Sequence, residues 1–212
     1  MTTGCCRNLK LMSKLPSLTG REIIPEVVSI SMIREELSSI PNYDLPPSFS
    51  CKWYTLGDEQ DWVKRQQSAD RYNHIDLNLF KQQFEDDPQT LAQRQCFILN
   101  AQEQPIGTAT AWFDLNYRGQ EYGRVHWVAI IPEMQGQGLA KPLMSLTCQR
   151  LCELGHNRAY LTTAPERIIA IDLYLKFGFI PQVRNDDELS TWKTIEQRLG
   201  KSILNLTNSG EI

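Results

Sequence analysis

The sequence contains no long hydrophobic run, and this absence argues against a helix that crosses a membrane. The most apolar stretch near the amino terminus, Ile23–Ile33, is interrupted by Pro25 and Glu26 and is far too short to span a bilayer. Residues 1–20 contain three basic residues but no continuous apolar segment, which a secretory signal requires. We therefore expect a soluble protein of the cytoplasm.

An excess of positive charge is also absent. The 22 Lys and Arg residues are balanced by 25 Asp and Glu residues, which gives a formal net charge of −3. A nucleic-acid-binding surface usually needs a basic stripe, and none is visible along the chain. The length of 212 residues and the hydrophobic fraction of 41% fit one globular domain, and the sequence has no internal repeat or low-complexity segment.

The cysteines do not indicate a metal site. We expect all six to be reduced thiols in this compartment: Cys5, Cys6, Cys51, Cys96, Cys148 and Cys152. Cys148, Cys152 and His156 fall at i, i+4 and i+8 of a predicted helix, a spacing that first suggests metal ligands. Side chains spread over more than two helical turns cannot converge on one ion, and Gly155 marks the helix end. We therefore expect two core thiols, a solvent-facing histidine and no metal.

Composition divides the chain into three regions. We predict an amino-terminal extension and connector over residues 1–48, a folded domain over residues 49–195 and a polar tail over residues 196–212. The connector includes Pro41–Phe49, in which three prolines favour extended backbone. Residues beyond Leu199 are polar, and we expect them to be frayed.

The first half of the domain is predicted to contain two helices and four strands. A strand over Cys51–Leu56 is followed by a helix from Asp58, as its N-cap, to Arg71, and by a second helix over Leu77–Phe84. Three strands joined by short links form an antiparallel meander: Gln95–Asn100, Ile106–Leu115 and Arg124–Ile131.

The second half changes to a helical period. Leucines at three- to five-residue spacing predict a helix over Gly136–Leu154, and Pro165–Phe177 is a second helix after a strand over Ala159–Ala164. Phe179–Val183 and Ser190–Thr194 are predicted closing strands. The element order predicts an α/β or α+β fold with a mixed, mostly antiparallel central sheet flanked by helices.

Two glycines lie where the last meander strand gives way to a helix, in QGQGLA, Gln135–Ala140. A helix N-terminus presents unpaired N–H groups and a positive dipole end, and glycine lets an anion approach the backbone. A P-loop would need Lys-Ser or Lys-Thr after a longer glycine loop. A Rossmann fingerprint would need a third glycine where Lys141 stands, after a parallel strand unit. The stretch therefore predicts a pyrophosphate cradle of another kind.

The motifs resemble those of the GCN5-related N-acetyltransferase (GNAT) superfamily. Gln135, Gly138 and Ala140 match its Gln/Arg-x-x-Gly-x-Gly/Ala signature, after a strand ending in Pro132. A second family motif is matched downstream by Ala170, Ile171, Leu173, Tyr174, Gly178 and Phe179. The resemblance covers about residues 50–193, and residues 1–45 lie outside its motifs.

The resemblance implies an acyl-CoA N-acyltransferase fold and an acetyltransferase that uses acetyl-CoA as co-substrate and no metal. The loop N–H groups that would hold its pyrophosphate belong to Gln135, Gly136, Gln137, Gly138, Leu139, Ala140 and Lys141. The main chain at Val128 and Ile130 would hold the pantetheine arm, as an added strand would. The acetyl group would pass directly to a primary amine of a small molecule or peptide.

Two side chains are candidates for proton transfer. Tyr174 stands where many family members carry a tyrosine that protonates the departing CoA sulfur, although its apolar neighbours also fit a core role. The glutamate base of histone-modifying members corresponds to Arg124, which cannot act as a base. His126 matches a histidine on the same strand of serotonin N-acetyltransferase and is our candidate base; alternation places it with Arg124 and Val128 on one face, opposite Trp127. Where the family often shows Asn, this sequence has Arg167.

The acceptor is not specified by any motif. Residues 58–87 contain eight acidic and four basic residues, which favours a cationic amine. Three alternatives stay open at this point: an acetyl-CoA-binding sensor without transferase turnover, transfer of a longer acyl group, and assembly as a homodimer. We expect neither a nucleic acid nor a membrane as partner.

Overall fold

A computed structural model describes residues 29–85 and 87–209, which form a seven-stranded, mostly antiparallel sheet flanked by helices. The strands are β1 (Ile30–Arg34), β2 (Ser50–Trp53), β3 (Gln95–Leu99), β4 (Pro105–Tyr117), β5 (Gln120–Ile130), β6 (Ala159–Thr163) and β7 (Ile180–Gln182). The helices are α1 (Glu59–Ala69), α2 (Leu77–Phe84), α3 (Pro88–Arg94), α4 (Ala140–Glu153), α5 (Ile168–Lys176) and α6 (Asp186–Leu199). Within these residues no helix has the length and apolar character needed to cross a membrane.

The sheet has the order β2-β3-β4-β5-β6-β1-β7 and is covered on both faces. On one face, α1 and α2 pack Trp62, Phe80 and Phe84 against Trp112 of β4. Phe80 and Phe84 are four residues apart and therefore share one side of α2, whose predicted bounds are confirmed. On the other face, α4, α5 and α6 bury a second cluster against β1, β5 and β6.

The strands β5 and β6 are parallel and pair over a very short distance. Only two residue pairs join them, Gly123 with Ala159 and Arg124 with Tyr160. Beyond Arg124 the two strands separate, so the rest of β5 has an open edge on that side. Between the pairs Thr108–Ala129 and Thr110–His126, β5 contains one residue more than β4, which makes a β-bulge.

Strand β1 corrects the predicted domain boundary. Residues 1–48 were expected to be extension and connector, yet Ile30–Arg34 pairs with β6 on one side and with β7 on the other. Ile30 and Met32 are fully buried. The sheet therefore includes part of the predicted extension, and residues 1–28 of that prediction lie outside the described part of the chain.

The carboxyl-terminal predictions are also wrong in two places. Residues 190–194 belong to α6 and not to a strand; the Asn185 side chain caps this helix by accepting from the Glu188 N–H. Residues 200–207 are packed and not frayed, because Ile203 is only 2% exposed and its N–H donates to the Glu196 carboxylate at 2.6 Å.

His156, the histidine of the spacing that first suggested metal ligands, is buried. Cys148 lies in the core as expected, but Cys152 is exposed, and the predicted solvent exposure of His156 is wrong. One ring nitrogen of His156 lies 3.2 Å from Arg94 and the other lies 3.3 Å from Glu121. Across the described residues, no cluster of three or more His, Cys, Asp or Glu side chains could hold a metal ion.

Candidate active site

The loop between β5 and α4 has the backbone shape that the glycines predict. Gly136 and Gly138 have φ of +77° and +79°, in the left-handed region that favours glycine. A Cβ built on either glycine would meet no atom within 4 Å, so the loop backbone is open to an approaching group. Leu139 is 1% exposed and anchors the start of α4 in the core. The Gln135 side chain closes the loop by donating to the Ile130 carbonyl at 2.9 Å.

The amides at the start of α4 point to an anion site. Among the backbone hydrogen bonds of the described residues, none is donated by Gly138, Leu139, Ala140 or Lys141. Unpaired amides at a helix N-terminus favour negative charge. The Lys141 ammonium lies 5.0 Å from the centroid of the Tyr43 ring, and its side chain is exposed.

A cavity of about 260 Å³ lies where β5 and β6 separate. It is lined by residues 124–128 of β5 and by residues 162–164 at the end of β6. Tyr174 of α5 and His126 of β5 both line it, so the structure brings the two candidate proton-transfer residues into one cavity. Val128 lines the cavity as well.

The hydrogen-bond partners of His126 determine which ring nitrogen carries its hydrogen. The side-chain oxygen of Gln83 lies 3.0 Å from both the Trp127 indole nitrogen and Nε2 of His126. An indole nitrogen can only donate, so the Gln83 atom between the two rings is the acceptor oxygen. Nε2 of His126 must then carry a hydrogen, and Nδ1 of the neutral ring keeps the lone pair.

The surroundings of His126 also keep it neutral. Its side chain is buried, with 6% exposed. Burial, and then the positive charge of Arg124, hold the pKa of His126 well below its usual range. The ring is therefore neutral at neutral pH, with a lone pair that can accept a proton.

Tyr174 has the properties of a neutral proton donor. Burial raises the pKa of Tyr174 to about 12, and Arg167 opposes the rise. Within the described residues no group forms a hydrogen bond with its hydroxyl. The side chain packs with the α4 and α5 cluster and still lines the cavity, so the core role and the cavity position coexist.

The bulge corrects the predicted alternation along β5. Trp127 has φ of +50°, and its ring packs on Trp62 at 5.2 Å, on the α1 and α2 face. His126 contacts Phe84 on the same face, whereas Val128 packs with the clusters of the opposite face. Trp127 therefore shares a face with His126, and Val128 does not.

Two arginines line the cavity, and they differ in their partners. Arg167 stands where the resemblance would place an asparagine, and it forms an ion pair with Asp70 at 2.8 Å. Arg124 forms no ion pair with any described carboxylate, and its Nε is buried without an acceptor among the described residues. Its Nη2 lies 3.5 Å from the Thr162 hydroxyl, a weak contact.

Four aspartates of the 58–87 segment serve the local structure. Asp58 is the N-cap residue of α1 as predicted, but its side chain binds Lys52 and Thr55 and makes no cap hydrogen bond to the helix. Asp76 and Asp87 cap α2 and α3, and Asp70 holds Arg167. No Asp or Glu among the described residues lines the cavity.

Two glutamines of the cavity were missed from sequence. Gln83 orients His126, and Gln66, 2% exposed, donates to the carbonyl of Trp127 at 2.7 Å. Both side chains come from helices whose contacts with β5 depend on tertiary packing. A polar residue on the buried side of α1, beside Trp62, was the one available signal for Gln66.

Comparison with known proteins supports the same fold and identifies an acetyltransferase family. Residues 54–179 match the model of the acetyltransferase (GNAT) family. No curated protein matches the sequence. A GCN5-related N-acetyltransferase from Sphaerobacter thermophilus superposes with a TM-score of 0.61 at 15% identity. That match covers 73% of this chain, which spans 48% of the bacterial protein.

Two further solved structures are similar in fold to this chain. The ribosomal-protein-S18-alanine N-acetyltransferase of Escherichia coli has a TM-score of 0.53 at 17% identity, and the match covers 64% of this chain and 79% of that one. The NatC complex bound to Gag peptide and CoA has a TM-score of 0.55 at 18% identity, with 65% and 87% covered. At these identities the likenesses establish the fold and no more.

Proposed function

The chain belongs to the acetyltransferase (GNAT) family, and we propose that it moves the acetyl group of acetyl-CoA directly to a primary amine of a small molecule or peptide. The family assignment makes it an acyltransferase. The observation that carries the amine proposal is that a neutral histidine and a tyrosine hydroxyl line one cavity at the separation of β5 and β6. We further propose that residues 30–209 form one acetyltransferase domain.

Acetyl-CoA supplies the activated acetyl group as a thioester. The backbone amides from Gly136 to Lys141 would hold its pyrophosphate, because the loop is open and its glycines allow close approach. The Gln135 N–H, predicted to take part, instead donates to the Pro132 carbonyl at 3.2 Å. Its pantetheine arm would pair with the main chain of β5 at Val128 and Ile130, where that strand has lost its neighbour β6. Val128 also lines the cavity, which connects this edge with the reacting groups.

The transfer needs one proton acceptor and one proton donor. His126 accepts the proton of the attacking amine at Nδ1, directly or through one water, because Nε2 already carries a hydrogen. The amine nitrogen bonds to the thioester carbon, and the carbon–sulfur bond then breaks. Tyr174 donates its hydroxyl proton to the departing sulfur, so the products are the acetylated amine and CoA thiol.

Two structural neighbours favour a peptide acceptor. One structural neighbour is named for the alanine of a ribosomal protein, and another contains a bound peptide. Both share only the fold with this chain. The cavity itself is small, at about 260 Å³, which suits the amine end of either a small molecule or a peptide.

Calorimetry and a thiol-release assay test the proposal together. We expect acetyl-CoA to bind, and a panel of amines, amino acids, polyamines and peptides to include an acceptor. His126→Ala and Tyr174→Phe should each lower kcat by roughly 10²–10⁴-fold, with little change in acetyl-CoA affinity. A double variant that turned over at the normal rate would overturn both roles. Binding without thiol release for any acceptor would support the sensor alternative.

A further inference from the structure

Among the described residues, one positive charge of the cavity has no carboxylate partner. Arg167 is paired with Asp70, but Arg124 has no carboxylate within ion-pair distance among the described residues. Asp114, on the neighbouring strand, is occupied by the Tyr160 hydroxyl at 3.1 Å. The guanidinium of Arg124 lies 5.5 Å from the centroid of the Tyr160 ring, and the ring limits its movement. A positioned, unpaired guanidinium in a cavity is a binding group for an anion.

The position of Arg124 separates it from the phosphate loop. Arg124 precedes His126 by two residues, whereas the loop begins after Ile130, at the other end of β5. With a rise of about 3.3 Å per residue, Arg124 lies roughly 20 Å along the strand from Ile130. In the proposed complex the pantetheine arm pairs with β5 at Val128 and Ile130, between Arg124 and the loop. The charge of Arg124 therefore lies on the acceptor side of His126 and away from the phosphates of acetyl-CoA.

The rest of the lining fits the same polarity. The described lining residues include no Asp or Glu, and four aspartates of the 58–87 segment are held by caps or ion pairs: Asp58, Asp70, Asp76 and Asp87. A purely cationic amine would therefore find no counter-charge here, and it would meet Arg124. An anionic group near the amine would remove that repulsion and would satisfy the open Arg124 donors.

We propose that the acceptor is an amino acid, whose carboxylate binds Arg124 while its amine faces His126. This inference rests on the proposed acetyl transfer and names its substrate class. The planar fork of an arginine matches the two oxygens of a carboxylate. On one strand face, side chains two residues apart begin about 6.6 Å apart, so the two groups of the acceptor must be close in its covalent structure.

Matched acceptor pairs test the proposal. Each free amino acid is compared with its α-carboxamide in the thiol-release assay, because the amide lacks the carboxylate. The amide also has a lower amine pKa, a difference that is the same for every variant, so the ratios of the variants are compared with that of wild type. We expect wild type to acetylate at least one amino acid with kcat/KM at least about 10-fold higher than for its amide, as a lost charge-assisted hydrogen bond would give. In Arg124→Gln this ratio should fall towards one, mainly through the acceptor KM, and Arg124→Lys should retain part of it.

The ratio is measured within each variant, so any change that Arg124→Gln causes at His126 affects both acceptors and cancels. Arg118→Gln is the matched control, since Arg118 pairs with Glu35 on the surface; its ratio should equal that of wild type. Equal rates for acids and amides in wild type, or an unchanged ratio in Arg124→Gln, would overturn the inference. Failure of acetyl-CoA to bind in calorimetry would instead overturn the proposed function itself.

Discussion

At the scale of single residues, one indole decides where a proton lies. The Trp127 N–H fixes the amide orientation of Gln83, and Gln83 in turn fixes the tautomer of His126. The bulge makes this arrangement possible, because the positive φ of Trp127 turns its side chain to the face of His126. In the proposed mechanism, Gln83 and Trp127 therefore act as positioning residues for His126.

Two substitutions distinguish orientation from charge in this chain of contacts. Trp127→Phe removes the donor that fixes the Gln83 amide, which can then turn and donate to Nε2 of His126. We expect kcat to fall by about threefold to tenfold, the equivalent of one hydrogen bond of roughly 0.5–1.5 kcal/mol, with unchanged acetyl-CoA affinity.

Gln83→Glu should shift the pH dependence of kcat/KM in one defined direction. This variant instead places a negative charge beside His126 and raises the pKa of this histidine. A higher pKa of His126 means that the ring becomes protonated, and inactive as a base, at a higher pH than in wild type. The acid limb of the kcat/KM profile of Gln83→Glu should therefore move to higher pH. Gln82→Glu adds the same charge at the exposed neighbouring position of α2 and is the control. Acid limbs that coincide in all three proteins would rule out His126 as the base.

The sequence could name His126 and Tyr174 but not their environment. Tyr174 follows from a motif with fixed spacing, and His126 from its match to a histidine on the same strand of serotonin N-acetyltransferase. The face of Trp127 was predicted wrongly because alternation assumes a regular strand, and one extra residue reverses it. Gln83 could not be found, because the contact depends on how α2 packs across the sheet.

At the scale of elements, the loop between β5 and α4 depends on two left-handed glycines. Gly136→Ala and Gly138→Ala should each cost about 1–2 kcal/mol of stability, because an L-residue is strained at this φ. They should also raise the Kd for acetyl-CoA in calorimetry by about 10-fold or more, because the relaxed loop no longer aims its amides at the phosphates.

Gly119 provides a matched control for this prediction. It lies in the hairpin between β4 and β5 with φ of +77°, and a Cβ there would also meet no atom within 4 Å. Gly119→Ala should therefore lose similar stability and keep wild-type affinity for acetyl-CoA. An equal loss of affinity in Gly119→Ala would show that the loop glycines act through stability alone.

Element prediction succeeded where local signals were sufficient. The two phenylalanines and the Asp76 cap specify α2, and the meander follows from three short links. β1 was missed because a five-residue strand gains its stability from pairing with β6 and β7, which are distant in sequence. α6 was misread because Thr-Trp-Lys-Thr has strand composition, whereas Trp192 and Ile195 face the core at helical spacing.

At the scale of the whole molecule, two buried histidines make folding sensitive to mild acid. Burial and Arg124 lower the pKa of His126, and burial and Arg94 lower that of His156, although Glu121 opposes the second effect. In the unfolded chain both should titrate near their ordinary value of about 6.5. Below that pH the unfolded state binds protons that the folded state does not, so stability falls as the pH decreases.

The pH window separates these histidines from the carboxylates. Asp58, Asp70 and Glu188 have lowered pKa values, and their contribution is lost only below about pH 4. Between pH 6.5 and 5, each histidine that stays neutral lowers the free energy of unfolding by up to about 1.4 kcal/mol per pH unit. Urea unfolding at several pH values measures this slope.

Substitution assigns the slope to its source. His126→Gln and His156→Gln should each flatten the dependence of unfolding free energy on pH in this window, even though each variant is less stable than wild type throughout. The slope is compared and not the stability itself, so lost packing does not imitate the result. His74→Gln is the control, because the His74 side chain is 91% exposed. Slopes that are the same in all four proteins would mean that neither buried ring is neutral in the folded state.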